Sequence, residues 1–394
     1  MSRFDKIAAK LDAFGLDAML VTSGPNRLYA AGFPSSAGLA VITKDGSWFF
    51  TDSRYIEAAG KAITGAEVRE STRENPASKQ AAQILEKHGV KRLGYEEDYM
   101  TVGEYESLRK ALPCEMVPAT KLVMDLRSVK DQAEIDCLIA AQRIAEKALT
   151  ETLNFIQVGR TEREIAAYLQ YKMLSYGGEK MSFEPIVVSG PNSSMPHGVP
   201  SDKPVAAGDF ITMDFGCVKY GYCSDMTRTV AVGHVTEEME KVYHTVLAAQ
   251  QAGIATAKAG VPGKAVHEAG AKVIADAGYG AYFGHGFGHG LGVEVHEQPG
   301  AAPSCADPLP VGAVISAEPG IYLPGKFGVR IEDIIIIEEG GCRDIMEAPK
   351  DLLILLSPQR RSPSPPQAVN IVRFCPCNLG ICGVILYGEV YLGG

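Results

Sequence analysis

The residue types able to do chemistry are concentrated late in the chain. The stretch Gly284-His285-Gly286-Phe287-Gly288-His289-Gly290-Leu291-Gly292-Val293-Glu294-Val295-His296-Glu297 sets three of the protein's 8 histidines among five glycines. Without a Cβ, such a run lets a ligand or a second strand come close to the backbone, which suits a site more than a core. Read alone, it is equally a glycine-rich surface loop with incidental histidines. Four acids stand in motifs before and after it: Asp214 in Met-Asp-Phe-Gly, Asp225 in Ser-Asp-Met-Thr, Glu318 in Ala-Glu-Pro-Gly and Glu332 in Arg-Ile-Glu-Asp. Taken singly, Asp214 reads as a strand-end turn residue, Glu318 as a loop acid and Glu332 as half of a surface ion pair. Gathered around one imidazole, His289, the four carboxylates would repel one another severely unless cations sat among them. Two divalent ions solve that problem. Oxygen-rich ligation with a single imidazole suits Mn²⁺, Co²⁺ or Fe²⁺ and admits Zn²⁺. A metal pair roughly 3.5 Å apart can share a hydroxide and activate it near neutral pH.

An internal repeat supplies the reason to gather them. Val158-Gly159-Arg160-Thr161 leads into a helical pattern ending near Gly177, and Ala259-Gly260-Val261-Pro262 leads into another ending near Gly278. More sharply, Gly208 to Gly216 matches Gly312 to Gly320: a glycine turn opens a short apolar strand that ends in a carboxylate, with glycine two residues on. Each half then offers a second acid beside a second strand, Asp225 before Met226-Val230 and Glu332 before Asp333-Ile337. Two similar halves with matching acids imply a pseudo-twofold domain whose acids meet at the axis.

The preceding part of the chain reads differently. Phe4, Ile7, Leu11 and Phe14 recur at helical spacing, with Ser2 placed to cap the helix and Gly15 to end it. Short apolar runs at 18–22, 38–42, 48–51 and 92–95 alternate with helical stretches at 54–63 and 79–88, giving an α/β domain that ends near Val123. It holds no cluster of ligand-type residues. Lys130 to Gln157 is strongly helical and opens the second domain. After Leu356 the character changes again: residues 357–367 are rich in Pro, Arg and Ser, and an apolar Cys-containing end follows, expected to be poorly packed.

Bulk properties narrow the class. At 394 residues the chain needs more than one core, and a formal charge of -9 argues against nucleic acid or anionic membrane as partner. Nine scattered cysteines, an odd number without C-x2-C spacing, argue against a disulfide framework or zinc knuckle. Residues 1–20 interleave charges with apolar positions, unlike a signal peptide, and no run approaches a membrane span. A cytoplasmic protein is expected.

The motifs around Asp214, Asp225, His289, Glu318 and Glu332 resemble the five metal ligands of the pita-bread metallopeptidases, each residue type in its expected place and order. Within that family the chain is similar to the aminopeptidase P and prolidase branch, the Xaa-Pro peptidases, over roughly residues 1 to 355. The resemblance implies a creatinase-type α/β domain over 1–123 and an α+β pseudo-twofold pita-bread catalytic domain over 124–356, with the tail 357–394 outside the pattern. It implies that Asp225 and Glu332 bridge two metals, most typically Mn²⁺, that Asp214 holds one, and that His289 with Glu318 holds the other. Glu318 would also carry the proton from water to the leaving nitrogen. His197 in Met-Pro-His-Gly and His296 match histidines that contact substrate and steady the oxyanion. His285 matches one shaping the proline pocket, or is simply a hydrogen-bonded structural histidine. Tyr322 and Arg330 match supporting groups, and an Arg330–Asp214 pair is physically sensible because it would orient the ligand and keep it ionised. The implied substrates are dipeptides or short peptides with proline second, and the implied assembly is a homodimer.

Other readings compete. A methionine aminopeptidase uses a similar ligand set, but the additional α/β domain weighs against it. A non-catalytic binding module, or a metal-free hydrolase of the creatinase kind, would be expected to lack a ligand. The alternating glycines at 284–290 do not fit G-x-G-x-x-G, and no H-E-x-x-H is present.

Overall fold

The computed structural model describes residues 1–356 and the backbone of Ile371–Arg373. The chain divides into two compact units, Met1–Val129 and Lys130 onward. The expectation made for the tail after Leu356 lies outside the described residues.

In the first unit a mixed six-stranded sheet is formed by β1 (Ala18–Val21), β2 (Leu39–Thr43), β3 (Ser47–Thr51), β4 (Glu67–Glu70), β5 (Arg92–Tyr95) and β6 (Glu115–Pro118), in the order β4-β3-β2-β1-β5-β6. Strands β1, β2 and β3 run antiparallel as a meander, and parallel pairs flank them on both sides. Apolar side chains from both strands and helices, among them Leu20, Val41, Phe50, Ile84, Leu85 and Leu93, form one core. The helix expected to run from Ser2 to Gly15 is two pieces. Ser2 caps Arg3–Ala8 in a reciprocal capping box with Asp5, and a separate 3-10 turn spans Asp12–Phe14 before Gly15 turns left-handed at φ 63°. The break lets Phe4, Ile7 and Leu11 bury fully while Phe14 stays half-buried, a face that one straight helix would have shared differently. The helix Thr120–Ser128, which a boundary after residue 123 would divide, lies wholly in this unit.

The second unit carries the repeat in three dimensions. Its strands are β7 (Lys180–Met181), β8 (Ile186–Ser189), β9 (Phe210–Phe215), β10 (Cys217–Lys219), β11 (Tyr222–Cys223) and β12 (Met226–Val232) in one half. The other half has β13 (Gly288–Gly290), β14 (Glu297–Ala301), β15 (Val314–Ala317), β16 (Gly320–Leu323), β17 (Phe327–Arg330), β18 (Asp333–Ile337) and β19 (Cys342–Asp344), then β20 (Leu353–Leu355) and β21 (Ile371–Arg373). The sheets run β21-β20-β12-β9-β8 and β14-β13-β15-β18-β19. In each, three successive antiparallel neighbours correspond: β8-β9-β12 in one and β13-β15-β18 in the other. The correspondence reaches single hydrogen bonds. Gly208 N–H donates to Val232 O and Gly312 N–H to Ile337 O, both glycines at positive φ (90° and 82°) where a side chain would be strained. The helices Glu162–Ser175 and Gly263–Asp276, each of 14 residues, follow the matching Gly-containing turns.

Two helix pairs cover the sheets. Gln132–Phe155 and Glu162–Ser175 bury Leu149, Ile165, Leu169 and Met173 against Ile211, Met213 and Val230. Glu237–Thr256 and Gly263–Asp276 bury Val242, Val246 and Ile274 with Phe210, Ile321 and Val329. Apolar burial of this kind, worth roughly 25 cal/mol per Å², fixes each sheet face against its helices, so the strand ends are where polar side chains can gather. Among the described residues no helix is long and apolar enough to cross a membrane.

Candidate metal centre

The acids sit where strands begin and end. Asp214 lies in β9 opposite Thr227 of β12, and Asp225 immediately precedes β12. Glu318 immediately follows β15, and Glu332 immediately precedes β18. His289 is the middle residue of β13, a three-residue strand between β14 and β15. That position explains the glycines beside it: a Cβ on Gly288 would fall 1.9 Å from the Ser316 carbonyl oxygen, and one on Gly290 would fall 2.5 Å from that of Glu297. Only glycine lets three strands close around the histidine.

The structure brings the five residues together. Ligand-type atoms of Asp225, His289 and Glu332 all lie within 4.8 Å of one another. His289 Nε2 is 3.6 Å from Asp225 Oδ2 and 3.2 Å from Glu318 Oε1. Asp214 joins through Arg330, whose Nη2 donates to Asp214 Oδ2 at 2.5 Å. Three carboxylate oxygens, Asp214 Oδ1, Asp225 Oδ1 and Glu332 Oε1, are buried without a hydrogen-bond partner. Buried charged oxygens left so are costly, and three around one imidazole are the arrangement a cation would satisfy.

The imidazole is prepared in the same sense. His289 Nδ1 faces the Gly290 carbonyl at 3.1 Å, an acceptor only, so Nδ1 carries a proton and Nε2 is the nitrogen turned toward the carboxylates. Ser316 Oγ accepts from His289 N–H at 2.9 Å and donates to Glu318 Oε1 at 3.0 Å, tying the two side chains to one strand. The donor set therefore fits divalent cations.

Electrostatics follows the crowding. Burial pushes the Asp225 and Glu332 carboxyls well above the usual carboxylate range, and the neighbouring acids push them further. Burial likewise raises Asp214, with the Arg330 guanidinium pulling the other way. For Glu318 burial is outweighed by the hydrogen bond and charge of His289, and its carboxyl falls to about 2. Burial opposes a charge on His289, yet Glu318 overcomes it and raises the imidazole above its ordinary value.

Around this cluster stand the other residues singled out from the sequence. Tyr322 OH accepts from Arg330 Nη1 at 2.9 Å and lies 2.9 Å from His285 Nε2, while His285 Nδ1 faces the Gly286 carbonyl at 2.8 Å. The chain of donors sets the tautomer: Nδ1–H donates to the carbonyl and the tyrosine hydroxyl donates to Nε2. Burial also keeps His285 below its ordinary value, so it stays neutral. Both ring nitrogens are thus engaged, and what His285 can offer a ligand is its ring. His296 packs edge-on to His289 with ring centroids 4.2 Å apart. His197 is exposed on the 3-10 and loop segment after β8, next to Pro196, whose carbonyl accepts from Arg330 Nη1 at 3.2 Å.

Several contributors were not singled out from the sequence. Thr227 Oγ1 accepts from Arg330 Nε at 3.0 Å and donates to Glu332 Oε2 at 2.8 Å, linking the two halves. Ser316 precedes Glu318 by two residues as Thr212 precedes Asp214, so the repeat itself carried that signal. Arg228, 3 % exposed, donates to the Glu332 carbonyl at 2.5 Å and to Asp333 at 2.8 Å. Asp333 also receives Gln250 Nε2 at 3.0 Å and Lys350 Nζ. Burial would raise Asp333, but Arg228 and Lys350 outweigh it and hold its carboxyl below the usual value.

Residues 136–339 match the model of metallopeptidase family M24, and residues 3–129 match that of the creatinase/prolidase N-terminal domain. An uncharacterized peptidase of Bacillus subtilis, YqhT, is 44% identical over 354 residues, covering 90% of this chain and 100% of the relative. The solved Xaa-Pro dipeptidase from Bacillus anthracis superposes with a TM-score of 0.86 at 39% identity, covering 90% of this chain and 99% of that one. The X-Pro aminopeptidase from Thermotoga maritima does so with 0.83 at 36% identity, covering 88% and 100%. With a creatinase-type domain followed by a pita-bread domain whose two halves bring acids and an imidazole to one place, this chain belongs to metallopeptidase family M24.

Proposed function

We propose that this enzyme hydrolyses the peptide bond between an N-terminal residue and a following proline, in dipeptides or short peptides, using two divalent cations. The observation that carries the metal-dependent part is the set of three buried, unpartnered carboxylate oxygens around His289. The proline preference is supported by similarity to the Bacillus anthracis dipeptidase and the Thermotoga maritima aminopeptidase.

In this reading Asp214, Asp225, His289, Glu318 and Glu332 would hold the two cations, Asp225 and Glu332 between both, Asp214 on one side and His289 with Glu318 on the other. Mn²⁺ is the proposed ion. Bound there, the cations would supply polarisation of the scissile carbonyl and a water ionised near neutral pH. The chain's own residues do the rest. Glu318 accepts the proton of the attacking water and delivers it to the proline nitrogen as the C–N bond breaks; the water oxygen becomes part of the new carboxylate. His197 and His296 face the carbonyl oxygen as its charge develops and steady it. The ring of His285, held by Tyr322 and Gly286, forms one wall for the proline. Proline needs such a site because its tertiary amide has no N–H to donate and its ring obstructs ordinary protease subsites.

The proposal includes a homodimer and a cytoplasmic setting; Cys114, Cys217, Cys223, Cys305 and Cys342 are free thiols, consistent with a reducing compartment. The test is hydrolysis of Ala-Pro and Ala-Pro-Ala by protein stripped with EDTA and then supplied with Mn²⁺, Co²⁺ or Zn²⁺, beside a methionine-first peptide lacking proline. Metal-dependent cleavage before proline is expected, and the ratio of the two substrates separates dipeptidase from aminopeptidase. Cleavage of the methionine peptide alone would refute the assignment.

A further inference from the structure

We infer that Glu162 is a positioning residue for the loop that carries Pro196 and His197, its carboxylate fixing both ends of that loop at once. The inference rests on the role proposed above for His197.

Glu162 is the first residue of the helix Glu162–Ser175 and is fully buried. An acid at a helix start is ordinarily explained by capping or by the helix dipole. Here the cap is already supplied: Thr161 and Glu164 form a reciprocal capping box. The Glu162 oxygens go elsewhere. Oε1 accepts from Ser189 N–H at 2.6 Å and from Ser189 Oγ at 2.9 Å, at the end of β8. Oε2 accepts from Ser201 N–H at 3.1 Å and from Ser201 Oγ at 2.6 Å. Asn192 Nδ2 reaches both oxygens, at 3.1 and 3.2 Å. The two serines bracket a segment of irregular backbone whose middle meets the metal centre. Within it Ser193 Oγ accepts from Gly328 N–H at 2.9 Å, and the Pro196 carbonyl accepts from Arg330 Nη1 at 3.2 Å. His197, next in sequence, is exposed.

The chemistry requires a carboxylate. Donors converge on both oxygens, and only an ionised acid accepts on both sides. Glutamine at this position presents its NH₂ to one serine or the other, so whichever way it turns, one of the two serine contacts is lost, leaving that end held only by backbone pairing: Ser189 to β9, or Ser201 O to Arg163 N–H. The segment between the two ends then loses the one side chain that couples them, and shifts about its contacts with Gly328 and Arg330. A displacement of about 1 Å at a group facing a transition state costs on the order of 100-fold in rate.

The test is a double-mutant cycle on the full-length, Mn²⁺-loaded protein with a proline dipeptide. Glu162→Gln is expected to lower kcat about 10- to 100-fold with little change in KM and with unchanged metal content. His197→Ala lowers kcat as well, and the double variant falls no further than His197→Ala alone, because both substitutions remove the same positioned group. Faster hydrogen exchange at the Ser189 and Ser201 amides in Glu162→Gln, but not in His197→Ala, is the accompanying signature. Losses that multiply in the double variant, or wild-type kcat in Glu162→Gln, overturn the inference. Unchanged kcat in His197→Ala instead overturns the role given to His197, and this inference with it. Should Glu162→Gln not fold, Ser189→Ala and Ser201→Ala each weaken one of the two serine contacts and enter the same cycle.

Discussion

Replacing Arg330 by methionine preserves much of the side chain's volume while removing four hydrogen bonds and the counter-charge of a buried acid. The guanidinium donates to Thr227 Oγ1, Pro196 O, Tyr322 OH and Asp214 Oδ2, and its side chain is 4 % exposed. Thr227 keeps its bond to Glu332, and Tyr322 keeps its contact with His285, so those losses are partly absorbed. Asp214 is different: its other oxygen has no partner. Breaking one side of a buried ion pair costs about 3–5 kcal/mol. For a unit of this size that converts to a fall in Tm of roughly 6–20 °C, at about 2–4 °C per kcal/mol. The measurement is differential scanning calorimetry of metal-free protein at pH 8, where no cation can stand in as the counter-charge. The penalty also has a sign with pH. Burial already raises the Asp214 carboxyl, and removing Arg330 raises it further, so protonation relieves the variant as pH falls and its deficit is larger at pH 8 than at pH 6. Arg330→Lys, which restores charge near Asp214 but not the fork to Tyr322 and Pro196, should fall between. In the metal-loaded enzyme kcat/KM should drop about 10- to 100-fold, as for other groups that orient a metal ligand. A metal-free Tm within 2 °C of wild type for Arg330→Met would refute the account of Asp214 as a carboxylate dependent on that guanidinium.

Three further outcomes follow from named contacts. Lys130 Nζ lies 3.1 Å from Glu297 Oε2 with both side chains 1% exposed, so Lys130→Met should cost about 3–5 kcal/mol and Lys130→Met with Glu297→Gln should recover part of it; equal losses in calorimetry would show the pair is not coupled. Gly288→Ala puts a methyl 1.9 Å from the Ser316 carbonyl, which must part β13 from β15 and move His289; metal analysis should show reduced occupancy in protein that still folds, and full occupancy would contradict the packing argument. Burial pushes the Cys217 thiol to about 11 and the Cys223 thiol to about 12, from an ordinary 9.0. Since the folded values are raised, their contribution to stability is complete below pH 9 and is lost as pH climbs toward 11–12; both should resist alkylation at pH 8 until urea unfolds the chain, and prompt labelling in buffer would refute it.

The fold was legible where period and punctuation agree. Apolar alternation around Phe210–Phe215 and Val314–Ala317, each opened by a glycine at positive φ, marks β9 and β15 and also their equivalence. The four clustered acids were legible for the same reason, since a repeat that sets one acid at the end of a strand and another just before the next predicts where they meet. What spacing could not carry was contact across the chain. Nothing in the neighbourhood of Thr227 shows that its hydroxyl would join Arg330 to Glu332, more than 100 residues away. Glu162 looks like half of a helix-start signal, because its neighbours Thr161 and Glu164 form one; its own oxygens serve residues 27 to 39 positions further on. The break after Ala8 was missed because Phe4, Ile7 and Leu11 fit a continuous helix as well as a broken one, and burial of Phe14 was not required.

Where the two halves depart from symmetry, the departure separates two acids that the repeat makes equivalent. Asp214 and Glu318 end corresponding strands, yet their partners differ in kind. Asp214 faces a guanidinium, whose charge is permanent and whose other donors are spent on Pro196, Tyr322 and Thr227. A carboxylate so fixed can hold a cation, but its paired oxygen is committed to a guanidinium, a donor that does not take up or give up a proton. Glu318 faces an imidazole and a serine hydroxyl, both of which can exchange roles as donor and acceptor, while its side chain, 16% exposed, is about as open as that of Asp214 at 13%. The acid whose partners can themselves exchange protons is the better placed for the proposed transfer from water. The proton transfer proposed for Glu318 therefore draws on its hydrogen-bond partners as well as on resemblance. Glu318→Gln keeps the Ser316 contact and the strand end but removes that capacity, so turnover should fall by at least ~100-fold while the protein still folds, and appreciable turnover by that variant would send the proton elsewhere.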